Sequence, residues 1–448
     1  MAAKTPPLTF PIDKFSDPAT MPRKALIASS VGNFIEWYDF AVYGFMATVL
    51  AGLFFPSSSG TASLLQTFAA SALAFCFRPA GALAFGWLAD HSGRRTSLIT
   101  VLTLMAVSTT AIGCLPSYSQ IGVWAQILLI LCRIAQGVSA GGEFGSAVAF
   151  MMEYTPRHRR GLYSGWQSCT AGLAFLAGTG TAGAISSGLT VDAMQAWGWR
   201  VPFLLGAPLG LVALYLRLRV AETPLFRQAH DARPGTKPTT VSRHSTVSHH
   251  NTVSRRTTVM FALGTVVGWI CASQVFLIFM PTYLKTVLHL SIADSLIAAS
   301  VANAAFAFFS PVFGWLSDHT GRKKLMMIVS AVIIIASYPL FVLLDINTPA
   351  AVLTALAIGG VLVAALAGPA AATLSELFPT RYRATGSAAS YGLVVAALGG
   401  TAPIIITWLS SASGDHLAIA YYASAGALIS LILLVHLPAT SHLSSLDS

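Results

Sequence analysis

The sequence predicts an all-α membrane protein of twelve transmembrane helices in two six-helix halves. Three observations predict it. Hydrophobic residues make up 55% of the 448 and charged residues only 9%, whereas a soluble domain carries about 25% charged residues. So few charges cannot solvate the outside of a soluble core this apolar, but a bilayer removes the need. Apolar stretches of the ~20 residues that a span requires recur along the chain. Finally, the string GWLADHSGRR at 86–95 returns as GWLSDHTGRK at 314–323, an internal repeat across two halves.

Taken in order, a polar, Pro-rich tail (1–23) opens the chain, with no apolar core of the kind a cleavable signal peptide has. The expected spans are 24–50, 61–88, 97–115, 121–150, 161–186 and 199–218 in the first half, and 258–283, 292–315, 325–344, 350–375, 385–411 and 417–437 in the second. The Ala/Gly/Ser/Thr-rich stretch 161–186 suits close helix contact in lipid. The halves are taken as 24–219 and 257–437, with a tail at 438–448. Between them, 220–256 is basic and of low complexity, with TVSRHS, TVSHHN and TVSRRT in succession, and nothing in it can pack a core. His244, His249 and His250 belong to this solvated tract, and no metal site is expected. The five cysteines lie in or beside apolar segments without a CxxC partner, as small apolar residues do. Glu153, Pro156 and Arg160 recur as Glu376, Pro379 and Arg383, so the halves follow each other in the same orientation.

The net charge of +10 lies in short runs between apolar stretches, which marks membrane topology and not a nucleic-acid face. Arg94, Arg95, Arg157 to Arg160, the central tract, Arg322 to Lys324, Arg381 and Arg383 fall on one side, and Arg200 and Lys285 on the other. Both termini are therefore expected in the cytoplasm. No GxxxxGK[ST] or HExxH string occurs, so an enzyme or ATP-driven pump is not expected, and no cofactor is.

The duplicated G-x-x-x-D-x-x-G-R-[RK] string resembles the signature loop of the major facilitator superfamily. GNFIEWYDFAVYG (32–44), RIAQGVSAGGEFGSA (133–147), GWRVPFLLGAPLG (198–210), ETPLF (222–226) and MPTYLKTVLHLS (280–291) are similar to its metabolite:proton symporters. The resemblance implies a secondary transporter of the inner membrane, a monomer that couples a small-molecule substrate to protons, with sodium left open as the ion. In such loops Gly86 and Gly314 allow close helix approach, while Asp90 and Asp318 face basic partners in Arg94, Arg95, Arg322 and Lys323 around the turns at Gly93 and Gly321. With Glu153, Arg160, Glu376 and Arg383, these residues form a candidate latch between the halves.

An ionisable side chain deep in a membrane is a functional candidate. At about 1.5 Å rise per residue, Asp39, Arg78 and Arg133 fall near mid-depth, with Glu36 one turn from Asp39, Tyr43 one turn beyond, and Gln136 one turn from Arg133. Asp39 is expected to pair with Arg78 or Arg133, and Pro79 to kink the helix so that Arg78 turns toward a cavity. Asp39, Glu36 and Glu143 are the proton-coupling candidates. Arg78, Arg133, Gln136, Tyr43, Gln167, Gln274 and Asn303 are the substrate-binding candidates. Two buried arginines match carboxylates, so the expected substrate is a di- or tricarboxylate-like organic acid. One alternative is a proline/betaine-type osmolyte, faced by Trp37, Tyr38 and Tyr43 through cation–π contact; against it, the chain ends soon after the last span, without the heptad tail expected of osmosensing members. The other alternative is an efflux antiporter.

The charge asymmetry predicts that a membrane-impermeant thiol reagent labels single cysteines placed at Ser58 or Asp192 in intact cells and leaves one at His249 unlabelled. Labelling at 249 contradicts this topology.

Overall fold

A computed structural model describes residues 23–92, 94–141, 155–218, 255–378 and 383–436. Among these, eleven helices are long and apolar enough to cross a membrane, and a bent pair makes a twelfth span. We number the spans in chain order. α1 is Arg23–Phe45 continued by Ala47–Phe54, with a 63° bend between them, and α2 is Gly60–Cys76 continued by Arg78–Ser92. α3 is Arg94–Cys114, α4 is Val123–Gly141, α5 is Arg160–Gly188, and α6 runs in pieces from Val191 to Leu218. In the second half, α7 is Arg255–Ser273 continued to Thr286, α8 is Ile292–Thr320, α9 is Arg322–Asp345 and α10 is Pro349–Glu376. α11 is Arg383–Val394 continued to Ser413, and α12 is Ala418–Val435. The expected tails and central loop fall outside the described residues apart from 23, 255, 256 and the ends of the flanking helices; so do 142–150, the far part of the expected fourth span.

The ends and breaks follow local chemistry. Ser291 caps α8 by accepting the Asp294 N–H, and Thr348 caps α10 by accepting the Ala351 N–H, with Pro349 in the first turn where its missing N–H costs nothing. Gly321 ends α8 at φ +89°, a backbone angle that disfavours any side chain. α2 breaks at Phe77, just before Arg78 and Pro79, as a proline dictates. α7 loosens into a wider π-type turn at Gln274–Ile278 and resumes as Met280–Thr286 with Pro281 in its first turn. The outer faces carry exposed Trp87, Trp124, Trp315 and Trp408, the rings that favour a membrane boundary.

The halves meet where α5 packs along α8 and α10. Ser168 donates to the Ala367 carbonyl at 3.1 Å, the Ala372 N–H donates to Ser164 at 3.1 Å, and Ser300 donates to Thr179 at 2.9 Å. At the end of the bundle that carries the repeated signature, the two backbones touch: a Cβ on Gly161 would lie 2.3 Å from the Gly314 carbonyl oxygen, and one on Gly314 would lie 2.2 Å from that of Gly161. Only glycine permits this approach. At the opposite end α2, α7 and α11 splay around an open vestibule of about 530 Å³.

Gly161→Ala is therefore predicted to prise the signature end apart, raising thiol labelling there and slowing transport at least threefold. Gly180→Ala, where the added Cβ meets nothing within 4 Å, is the control and leaves both unchanged. Equal behaviour of the two variants contradicts the packing role.

Candidate functional site

At the signature end, Asp318 accepts hydrogen bonds from the Gly161 and Leu162 N–H groups at 2.8 and 3.0 Å. These are unsatisfied donors in the first turn of α5, where the helix dipole also favours a carboxylate. Arg322 pairs with Asp318 at 3.1 Å and also with Glu376, which is 3.6 Å from Arg160. Four of the expected latch residues thus join α5 of one half to α8, α9 and α10 of the other. Lys323 donates to the Val435 carbonyl at the end of α12 at 3.1 Å. Gly93, Glu143 and Glu153 lie outside the described residues, and of Gly86, Asp90, Arg94, Arg95 and Arg383 only the helical backbone is described.

The first half buries Glu36, Asp39, Arg78 and Arg133, each less than 5% exposed. Arg78 is taken by Glu36 at 3.1 Å, not by Asp39. The break in α2 turns Arg78 inward, where its guanidinium also covers the rings of Phe40 and Phe75 at 4.6 and 4.9 Å. Arg133 donates to Gln136 and to Ser71, both at 2.8 Å, and lies over Tyr43 and Phe40 at 4.1 and 5.1 Å. Gln136 passes the chain on to Thr109 at 2.7 Å, and the Tyr43 hydroxyl donates to the Thr67 carbonyl. Phe40 thus lies under both guanidinium groups. Asp39 feels the charge of Arg133 and lies beside the Thr109 hydroxyl, but that hydroxyl donates to the Met105 carbonyl, which leaves both carboxylate oxygens without a well-formed hydrogen bond among the described residues. Across the interface, Tyr391 of α11 sits beside Arg78 and Glu36 and packs on Trp269 at 5.7 Å.

The cavity between the halves differs from the expected one. Trp37, Phe175, Trp269 and Phe306 wall it, and the polar lining is Asn33, Gln167, Ser168, Ser273 and Gln274. Among the described residues, no Asp, Glu, Lys or Arg lines it. Of the expected substrate contacts, Gln167 and Gln274 are on the wall, whereas Arg78, Arg133, Gln136, Tyr43 and Asn303 are not. The arginines are turned into their own half by Glu36, Gln136 and the aromatic faces. Asn303 is fully buried in α8, with both amide atoms lacking a hydrogen-bond partner among the described residues. Trp37 meets Phe175 edge-on at 5.5 Å, and Phe175 stacks with Phe306 at 6.3 Å. Asn33 donates to the Gln167 carbonyl and to Thr170, while Gln167 Oε1 has no partner among the described residues. Sequence reasoning missed Trp269, Phe175 and Phe306, because an aromatic ring in an apolar helix carries no separate signal. The free volume is about 30 Å³, enough for a water or two, so the walls must part to admit a solute.

Comparison with known proteins places this geometry. The Major Facilitator Superfamily pattern matches residues 29–403 and again 297–446. A proline/betaine transporter of Salmonella typhimurium is 34% identical over 92% of this chain and 82% of its own length. A glycine betaine/proline/ectoine/pipecolic acid transporter of Dickeya dadantii is 35% identical over the same shares. Among solved structures, a D-xylose-proton symporter superposes with a TM-score of 0.72 at 20% identity, covering 93% of this chain and 98% of that one. A partially occluded, inward-open xylose transporter from E. coli gives 0.74 at 19%, covering 94% and 98%. At that identity the likeness is one of fold.

Proposed function

This chain belongs to the Major Facilitator Superfamily, and we propose that it is a proton-coupled symporter of small zwitterions of the proline and betaine type. It is a multi-pass membrane transporter and not an enzyme. The observation that carries the substrate class is the uncharged, aromatic wall of the cavity. A di- or tricarboxylate entering it would lose its hydration, several kcal/mol per charge, with no facing cation to offset the loss. A zwitterion has no net charge. Its quaternary or secondary ammonium fits against Trp37 and Trp269, at about 0.5–2 kcal/mol per ring face, and its carboxylate fits the amides of Gln167 and Gln274. The relatives' substrates agree with this alternative better than with the organic acid that the buried arginines suggested.

The coupling residue in this reading is Asp39. Protonating it leaves Arg133 without a compensating charge, and Phe40, shared by Arg133 and Arg78, relays that change to the Glu36–Arg78 pair at the half–half interface. The signature end faces the cytoplasm of the cell membrane, and the vestibule end faces outward. The conformation described here, sealed by the Asp318–Arg322–Glu376–Arg160 latch, is then the outward-facing one, and release of the latch opens the inner side.

Proteoliposomes with an acid exterior should accumulate labelled glycine betaine and proline and leave citrate and α-ketoglutarate at background. Trp269→Leu should weaken glycine betaine about fivefold to thirtyfold, the range that corresponds to about 1–2 kcal/mol of cation–π contact. Accumulation of citrate with glycine betaine at background would sink the proposal.

A further inference from the structure

The vestibule has a chemistry of its own. Its lining includes Thr61, Ser63, Thr282 and Thr407 together with Lys285 and His416. Among the described residues, no Asp or Glu lines it. His416 is held from behind by Asp345 at 2.9 Å, and Asp345 also accepts from Tyr283 at 3.3 Å. Lys285 has no ion pair among the described residues. Thr407 Oγ1 is buried with no hydrogen-bond partner among the described residues. An ammonium and several hydroxyl-bearing residues around an open volume of about 530 Å³, with the neighbouring Asp345 carboxylate engaged by His416 and Tyr283 behind the wall, make a site for an anionic group.

The partition between the two cavities is thin. Ile278 lines the inner cavity and Phe279, the next residue, lines the vestibule. Phe279 packs on Phe68 of α2 with ring centroids 5.8 Å apart. It sits where the wide turn of α7 gives way to the Pro281 segment, so the dividing wall is also the irregular part of the helix. A solute held in the vestibule is one residue away from the aromatic cavity.

We propose that the vestibule is a second, outer binding site that takes the carboxylate of the solute on Lys285 before the Phe68–Phe279 partition opens. The site takes small carboxylate-bearing molecules. That the molecule is a zwitterion on its way to the inner cavity rests on the function proposed above. Phe279 and Tyr283 in the wall give its apolar or ammonium end a face to lie against, so the two cavities select the same chemistry in series.

The test uses the full chain in detergent, with the labelling rate of Lys285 by a polar amine reagent read by mass spectrometry. Sodium acetate is the carboxylate probe, and sodium chloride at equal ionic strength controls for screening. Acetate should slow the labelling of Lys285 at least threefold relative to chloride, and Thr407→Val should at least halve that protection. Glycine betaine should protect too, and should still do so in Trp269→Leu, where the inner cavity is impaired. Equal labelling in acetate and chloride overturns the outer site. Protection by acetate with none by glycine betaine or proline keeps the outer site and overturns the zwitterion reading instead. In transport, Lys285→Gln should raise KM severalfold at an unchanged maximal rate, with Lys285→Arg close to wild type. An unchanged KM in Lys285→Gln overturns the place of this site on the transport route.

Discussion

An ion taken from water into a helix bundle loses several kcal/mol of hydration unless its partners are in place, and this bundle buries two arginines and two carboxylates together in its first half. Arg78 is neutralised by Glu36. Arg133 is satisfied by Gln136, Ser71 and two aromatic faces. Asp39 has only the Thr109 hydroxyl beside it, already given to the Met105 carbonyl, among the described residues. That imbalance makes one carboxylate sensitive to protonation while its neighbours are held. It also keeps these charges off the cavity wall, which in the proposed function leaves rings and amides to select the solute.

The rest of the structure serves to keep that cluster dry on one side at a time. The latch at the signature end pairs Asp318 with the first N–H groups of α5, a contact that exists only while α5 and α8 touch through Gly161 and Gly314. A charge-assisted hydrogen bond is worth about 1.5–3 kcal/mol, enough to bias two conformations by one to two orders of magnitude and still be reversible. On the other side, Phe68 and Phe279 close the partition below the vestibule. The described conformation is thus latched at one end, while the Phe68–Phe279 ring contact lies in the partition toward the other, an arrangement suited to alternating access.

Much of the fold was legible because lipid imposes it. Span length follows bilayer thickness, and the repeat at 86–95 and 314–323 marks where the second half begins. The partners of Asp318 were legible in part: Arg322 pairs with it and carries the chain on to Glu376 and Arg160, while Lys323 reaches Val435 instead. The cavity was not legible. Glu36 and Asp39 lie one turn apart at similar depth, so helical spacing alone cannot decide which of them takes Arg78. Two arginines at mid-depth look like carboxylate receptors until Phe40 and Tyr43 are seen covering them. Trp269 faces the cavity from a helix that is apolar on every side, and the wide turn at 274–278 that re-aims α7 leaves no pattern in composition.

The central claim is that a solute without net charge moves with one proton taken up on Asp39, and charge movement tests it most directly. Proteoliposomes on a solid-supported membrane at equal pH on both sides are given a step of glycine betaine. The wild type should carry positive charge inward with the solute. Asp39→Asn should lose that current and still exchange labelled glycine betaine across the membrane. Uptake without current in the wild type, or an equal current in Asp39→Asn, would contradict the account.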